Sequence, residues 1–126
     1  MQGYLIVFVG GGIGAALRHG VNLASLRLLG PGFPWGTLTV NVVGSLVMGL
    51  LAAWFAFRGT STEPWRLFLA TGILGGFTTF SAFSLDVALL VERQQIALAG
   101  GYVVASVLGS VGALFLGLWL TRAAIA

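Results

Sequence analysis

Four long apolar runs, at about residues 4–29, 35–57, 65–91 and 96–120, occupy this chain almost from end to end. A helix needs about 20 apolar residues to cross a hydrocarbon core of roughly 30 Å, and each run is long enough. Charged residues make up 7% of the sequence and the mean hydropathy is +1.03, whereas a soluble domain is about one quarter charged. Such residues cannot form a soluble surface. The expected fold is an all-α integral membrane protein, a single domain of four transmembrane helices over residues 1–126. Little chain is left for a soluble catalytic or binding domain, so function must lie between helices or between subunits.

Several function classes drop out at once. There is no cysteine and His19 is the single histidine, which removes disulfides, thiol nucleophiles and Cys/His metal clusters and argues against an enzyme. The net charge of +3 comes from scattered arginines, with no basic face for nucleic acid. Met1-Gln2-Gly3-Tyr4 lacks the positive start of a signal peptide, so the first run is expected to stay in the mature protein. Gly10-Gly11-Gly12-Ile13-Gly14-Ala15 after an apolar run imitates a dinucleotide-binding turn. That fingerprint requires an acidic residue about 20 positions on, and the first one here is Glu63. Small residues that let helices approach closely in lipid are the better reading.

Orientation in the membrane normally follows the arginines and lysines of the loops. One side holds Arg58, Arg66 and Arg122; the other holds Arg27 and Arg93, joined by Arg18 if its side chain reaches that surface. So even a distribution favours insertion in both senses and hence a dual-topology, antiparallel homodimer.

The spans are not uniformly apolar. Thr37, Asn41 and Ser45 form a stripe at i, i+4 and i+8 in the second, and Tyr102, Ser106 and Ser110 repeat it in the fourth. Such stripes serve either as hydrogen-bonding glue between helices or as the lining of a hydrated, ion-conducting path. The third span contains Gly75-Gly76-Phe77-Thr78-Thr79, where paired glycines and threonines predict a broken helix with freed carbonyls, suited to a cation. Phe80 and Phe83 follow on one face, with Thr79, Ser81 and Ser84 nearby. Aromatic ring edges are positive and suit an anion. Asp86 and Glu92 lie toward the end of this span, so no carboxylate is expected at mid-membrane to relay protons. Hydroxyl and amide donors, with Arg18 as a fixed positive charge or an interfacial anchor, suit a small anion that accepts strong hydrogen bonds.

Three segments, Gly11-Gly12-Ile13-Gly14-Ala15-Ala16-Leu17-Arg18, Trp35-Gly36-Thr37-Leu38-Thr39-Val40-Asn41-Val42-Val43-Gly44-Ser45 and Gly75-Gly76-Phe77-Thr78-Thr79-Phe80-Ser81-Ala82-Phe83-Ser84, resemble the CrcB/Fluc fluoride channels. The resemblance implies a passive, fluoride-selective channel of the bacterial inner membrane that exports fluoride from the cytoplasm. It implies an antiparallel homodimer with two pores and a sodium ion at its centre. Asn41 would be the pore amide, and Phe80 and Phe83 the aromatic pair that meets fluoride. Thr79, Ser81, Ser84, Tyr102, Ser106 and Ser110 would form a polar track. Gly75 and Thr78 would offer backbone carbonyls to sodium, and Arg18 would serve a vestibule or structural role. Ala82 stands where some relatives carry a hydroxyl. A small dual-topology multidrug antiporter would share the size but carry a glutamate in its first span, which this chain lacks. A non-transporting membrane subunit would use the stripes only for packing.

Overall fold

The computed structural model describes residues 1–59 and 63–125, and the described residues form helices joined by short turns, with no strand among them. Helix α1 is Gln2–Leu29 and α2 is Trp35–Arg58. The third span is divided: α3 covers residues 63–77 and α4 is Phe80–Glu92. Helix α5 is Ile96–Ile125. Four spans long and apolar enough to cross a membrane therefore stand where the apolar runs placed them. The fourth span, α5, continues past Thr121-Arg122 to Ile125, because nothing in those residues breaks a helix. Residues 60–62, in the polar loop read at 58–64, lie outside the described residues.

The turns follow from local chemistry. Gly30 ends α1 with φ of 77° while its N–H donates to the Leu26 carbonyl at 3.0 Å, a conformation that glycine adopts without strain. Pro31 and Pro34 then prevent the helix from resuming until Trp35. Between α4 and α5, Gln94 takes a positive φ of 61°, and the N–H groups of Gln94 and Gln95 donate to the Val91 and Leu90 carbonyls.

Two tight seams assemble the spans. Helix α1 lies against α3, and α2 lies against α5 along most of its length. A Cβ at Gly14 would overlap the Ile73 carbonyl oxygen, and one at Gly49 would overlap that of Leu114. The glycines thus bring backbones together where lipid supplies no hydrophobic force between helices. The segment that imitated a nucleotide-binding turn is part of this seam, with Gly10 and Gly14 buried. At α2–α5, the Thr121 hydroxyl adds a hydrogen bond to the Leu50 carbonyl at 3.0 Å.

Within α3 the winding changes. It opens as an α-helix at Glu63–Arg66, widens to a π-helix over Leu67–Leu74 and returns to α at Gly75–Phe77. The interruption falls on the two threonines of the expected segment Gly75-Gly76-Phe77-Thr78-Thr79. Gly75 stays helical at φ −62°, while Thr78 (φ −83°, ψ 158°) and Thr79 (φ −153°, ψ 123°) are extended. β-Branched residues tolerate extended backbone well, and Gly76 is used instead for close approach to α1: a Cβ there would overlap the Gly11 carbonyl oxygen.

Gly14→Ala is expected to destabilise the protein by about 1–3 kcal/mol through overpacking. Gly12→Ala, whose Cβ would meet nothing within 4 Å, is expected to leave stability nearly unchanged. Thermal unfolding of both variants in detergent checks the pair.

Candidate functional site

The two extended residues at the break leave backbone groups that an unbroken helix would have paired. Asn41, two turns into α2, satisfies those of Thr79. Its Nδ2 donates to the Thr79 carbonyl at 3.0 Å, and its Oδ1 accepts from the Thr79 N–H at 2.8 Å. The Thr79 side chain then starts α4: its Oγ1 accepts from the Ala82 N–H at 3.1 Å, an N-cap made inside the membrane. Thr78 closes α3 in turn, with its N–H and hydroxyl both donating to the Leu74 carbonyl, at 3.0 and 2.9 Å. From α1, Arg18 Nε donates to the Gly76 carbonyl at 3.0 Å. That places a guanidinium against the negative end of the α3 dipole.

A groove of about 280 Å³ opens beside this break. Asn41 and Ser45 line it from α2, Thr78, Thr79, Phe80 and Phe83 from the third span, and Ser106 and Ser110 from α5. Most of both polar stripes therefore converge on one cavity. The rings of Phe80 and Phe83 lie 5.6 Å apart at 44°, and Phe80 is 77% exposed on the outer face of the protomer. Ser106 is 5% exposed, and its buried hydroxyl makes no hydrogen bond of ordinary geometry to a described residue. An unmade bond at a buried hydroxyl costs about 1–3 kcal/mol, so this wall of the groove favours a polar occupant.

Other expected residues sit elsewhere. Ser81 and Ser84 face outward; Ser81 Oγ lies 3.4 Å from Thr79 Oγ1, and the Ser84 hydroxyl donates to the Phe80 carbonyl at 3.0 Å. Gly75 and Arg18 are not on the groove wall. Tyr102 is fully buried, its ring 5.2 Å from that of Phe83 and 5.4 Å from that of Phe33. Its hydroxyl donates to Asp86 Oδ2 at 3.0 Å. Asp86 is the seventh residue of α4, in the last third of the third span as expected, and its pairing with Tyr102 was missed from sequence. A readable signal existed: Asp86 falls three residues after Phe83, on the same helical face.

The break also determines which charges the site suits. Thr79's N–H would reach the Gly75 carbonyl in an unbroken helix; here it donates to Asn41, which releases that carbonyl. Freed neutral carbonyls at the C-terminal end of a half-helix suit a hard monovalent cation, and Arg18 already occupies the one at Gly76. Across the break, the N-terminal end of α4 carries positive dipole charge. Among the described residues no group of three acidic, histidine or cysteine side chains gathers to hold a metal.

Residues 5–118 match the family described as CrcB-like protein, Camphor Resistance (CrcB). A Nitrobacter hamburgensis protein named Fluoride-specific ion channel FluC 2 is 59% identical over 119 residues, which cover 94% of this chain and 96% of that one. A Mesorhizobium japonicum protein named Fluoride-specific ion channel FluC is 61% identical over 122 residues, 97% of this chain and 98% of the relative. A protein of the same name from Caulobacter vibrioides is 50% identical over 123 residues, 97% of each chain.

Asn41→Leu removes both bonds to Thr79 at nearly constant volume. It is expected to destabilise the fold by about 2–3 kcal/mol, because a backbone donor and acceptor lose their partner within the membrane. Thermal unfolding in detergent checks this.

Proposed function

The chain belongs to the CrcB family, and from that premise we propose that it is a passive, fluoride-selective channel of the bacterial inner membrane that lets fluoride leave the cytoplasm. The groove at the break carries this reading. Fluoride is small and strongly hydrated, so conduction requires close donors that replace water without holding the ion too tightly. The groove supplies such donors in series. Asn41 has a second amide N–H beyond the one given to Thr79; Ser106 presents a buried hydroxyl; Ser110 stands one turn further on. Phe80 and Phe83 offer positive ring edges, and Thr79, Ser81, Ser84 and Tyr102 extend the polar track. Hydrogen fluoride that enters a cell and ionises there would leave through this path as the anion, driven by the membrane potential.

The functional unit in this reading is an antiparallel homodimer with two fluoride pores. Phe80, Ser81 and Ser84 all lie on the outer face of the protomer, where a second copy would cover hydroxyls that lipid cannot solvate. The near-even split of arginines between the two membrane faces, three against two once Arg18 is engaged at Gly76, supports insertion in both senses. A structural sodium ion at the dimer centre would be held by the backbone carbonyls of Gly75 and Thr78 from both subunits. It would tie the two breaks together and place a fixed positive charge near the pathway.

Cells deprived of their own fluoride exporter are expected to grow in fluoride when given this chain, and to fail when given Phe80→Ile at equal expression. Equal growth with both would remove the aromatic pair from the pathway. For sodium, exchanging it for a large organic cation during purification is expected to impair the dimer or its conduction. Thr78→Ser is expected to preserve both, because the carbonyl and the hydroxyl bond to Leu74 remain available. Elution volume and fluoride efflux check these outcomes.

A further inference from the structure

Helix α1 carries polar side chains that the pathway above leaves unused. Asn22 lies one turn beyond Arg18 and Ser25 three residues further, so the three share a face. Asn22 is seven residues, about 10 Å, inside the end of α1. It is half-buried and makes no hydrogen bond among the described residues. A polar side chain at that depth without a protein partner calls for water or a solute.

The space for one is present. Asn22 and Ser25 line a chamber of about 310 Å³ together with Thr37, Asp86 and the turn that joins α1 to α2. Thr37, on the chamber wall, precedes Asn41, on the groove wall, by one turn of α2. Gly36 determines how the amide is seated, because a Cβ there would overlap Asn22 Oδ1. A Cα–H surface receives an oxygen favourably and offers an N–H nothing. The oxygen therefore rests on Gly36, and the NH₂ group is left for the chamber.

We infer that the Asn22 amide is the outermost fluoride ligand of the pathway, taking over part of the hydration shell before the ion reaches Asn41. The inference rests on the channel reading. The Asp86 carboxylate on the chamber wall, which accepts from the Tyr102 hydroxyl, disfavours an anion beside it. Asn22 supplies a compensating neutral donor from α1, with the Ser25 hydroxyl nearby.

The test is fluoride efflux from proteoliposomes over a range of internal fluoride, comparing the unmodified chain with Asn22→Asp and Asn22→Leu. Asn22→Asp preserves the fit to Gly36 and replaces the donor with a negative charge; Asn22→Leu removes the amide, donor and acceptor together, without adding charge. Both are expected to raise the half-saturating fluoride concentration by about tenfold, the equivalent of one hydrogen bond to a charged group, with the saturating rate nearly unchanged. An unchanged half-saturating concentration in Asn22→Asp overturns the inference even if Asn22→Leu does not fold. A lower saturating rate at the same half-saturating concentration overturns it in favour of a packing role. No efflux from the unmodified chain overturns the channel reading and the inference together.

Discussion

The structure depends on a reciprocal amide clamp in the middle of the membrane. A helix broken in lipid exposes backbone groups for which no water is at hand, and each unsatisfied group costs several kcal/mol. Asn41 answers both the N–H and the carbonyl of Thr79 from a neighbouring helix. That allows the third span to be two half-helices, with opposite dipole ends meeting near one point. The positive end lies beside Phe80 and the negative end beside the Arg18 guanidinium. In the proposed channel, the site for ions follows from satisfying a broken backbone, without any carboxylate at the break itself.

The remaining architecture holds that clamp in register. Glycines let α1 approach α3 and let α2 approach α5, and each seam fixes one side of the break. Arg18 reaches Gly76 from the first seam, while Asn41 and the buried Ser106 face one another's groove from the second. Tyr102 and Asp86 then tie α5 to α4 at the far end of the aromatic row. Rigid helices rather than loops carry the groove-lining side chains, as a pathway requiring closely placed donors demands.

Spans and turns were legible because lipid imposes a simple rule on composition and length, and the glycines and prolines of 30–34 punctuate the first connection plainly. The stripes Thr37-Asn41-Ser45 and Tyr102-Ser106-Ser110 were legible as periodicity. Periodicity gives a face but not a destination. Asn41, Ser45, Ser106 and Ser110 meet at one groove, whereas Thr37 faces a second chamber and Tyr102 turns to Asp86. The break was expected within Gly75-Gly76-Phe77-Thr78-Thr79 and falls on its threonines, because packing against α1 keeps Gly76 helical and Asn41 draws out Thr79. The π-helical turns of 67–74 left no mark that residue spacing reveals, since their apolar residues suit either winding. Fluoride itself was named by resemblance, and donors alone would have indicated only a small, strongly hydrogen-bonding anion.

The central claim is that these lipid-embedded half-helices conduct fluoride and discriminate among anions. The most direct measurement places the purified chain in liposomes loaded with equal concentrations of fluoride and chloride, and follows both ions outward with selective electrodes. Rapid fluoride loss with chloride retained is the predicted result. Retention of fluoride, or equal loss of both ions, would contradict the account.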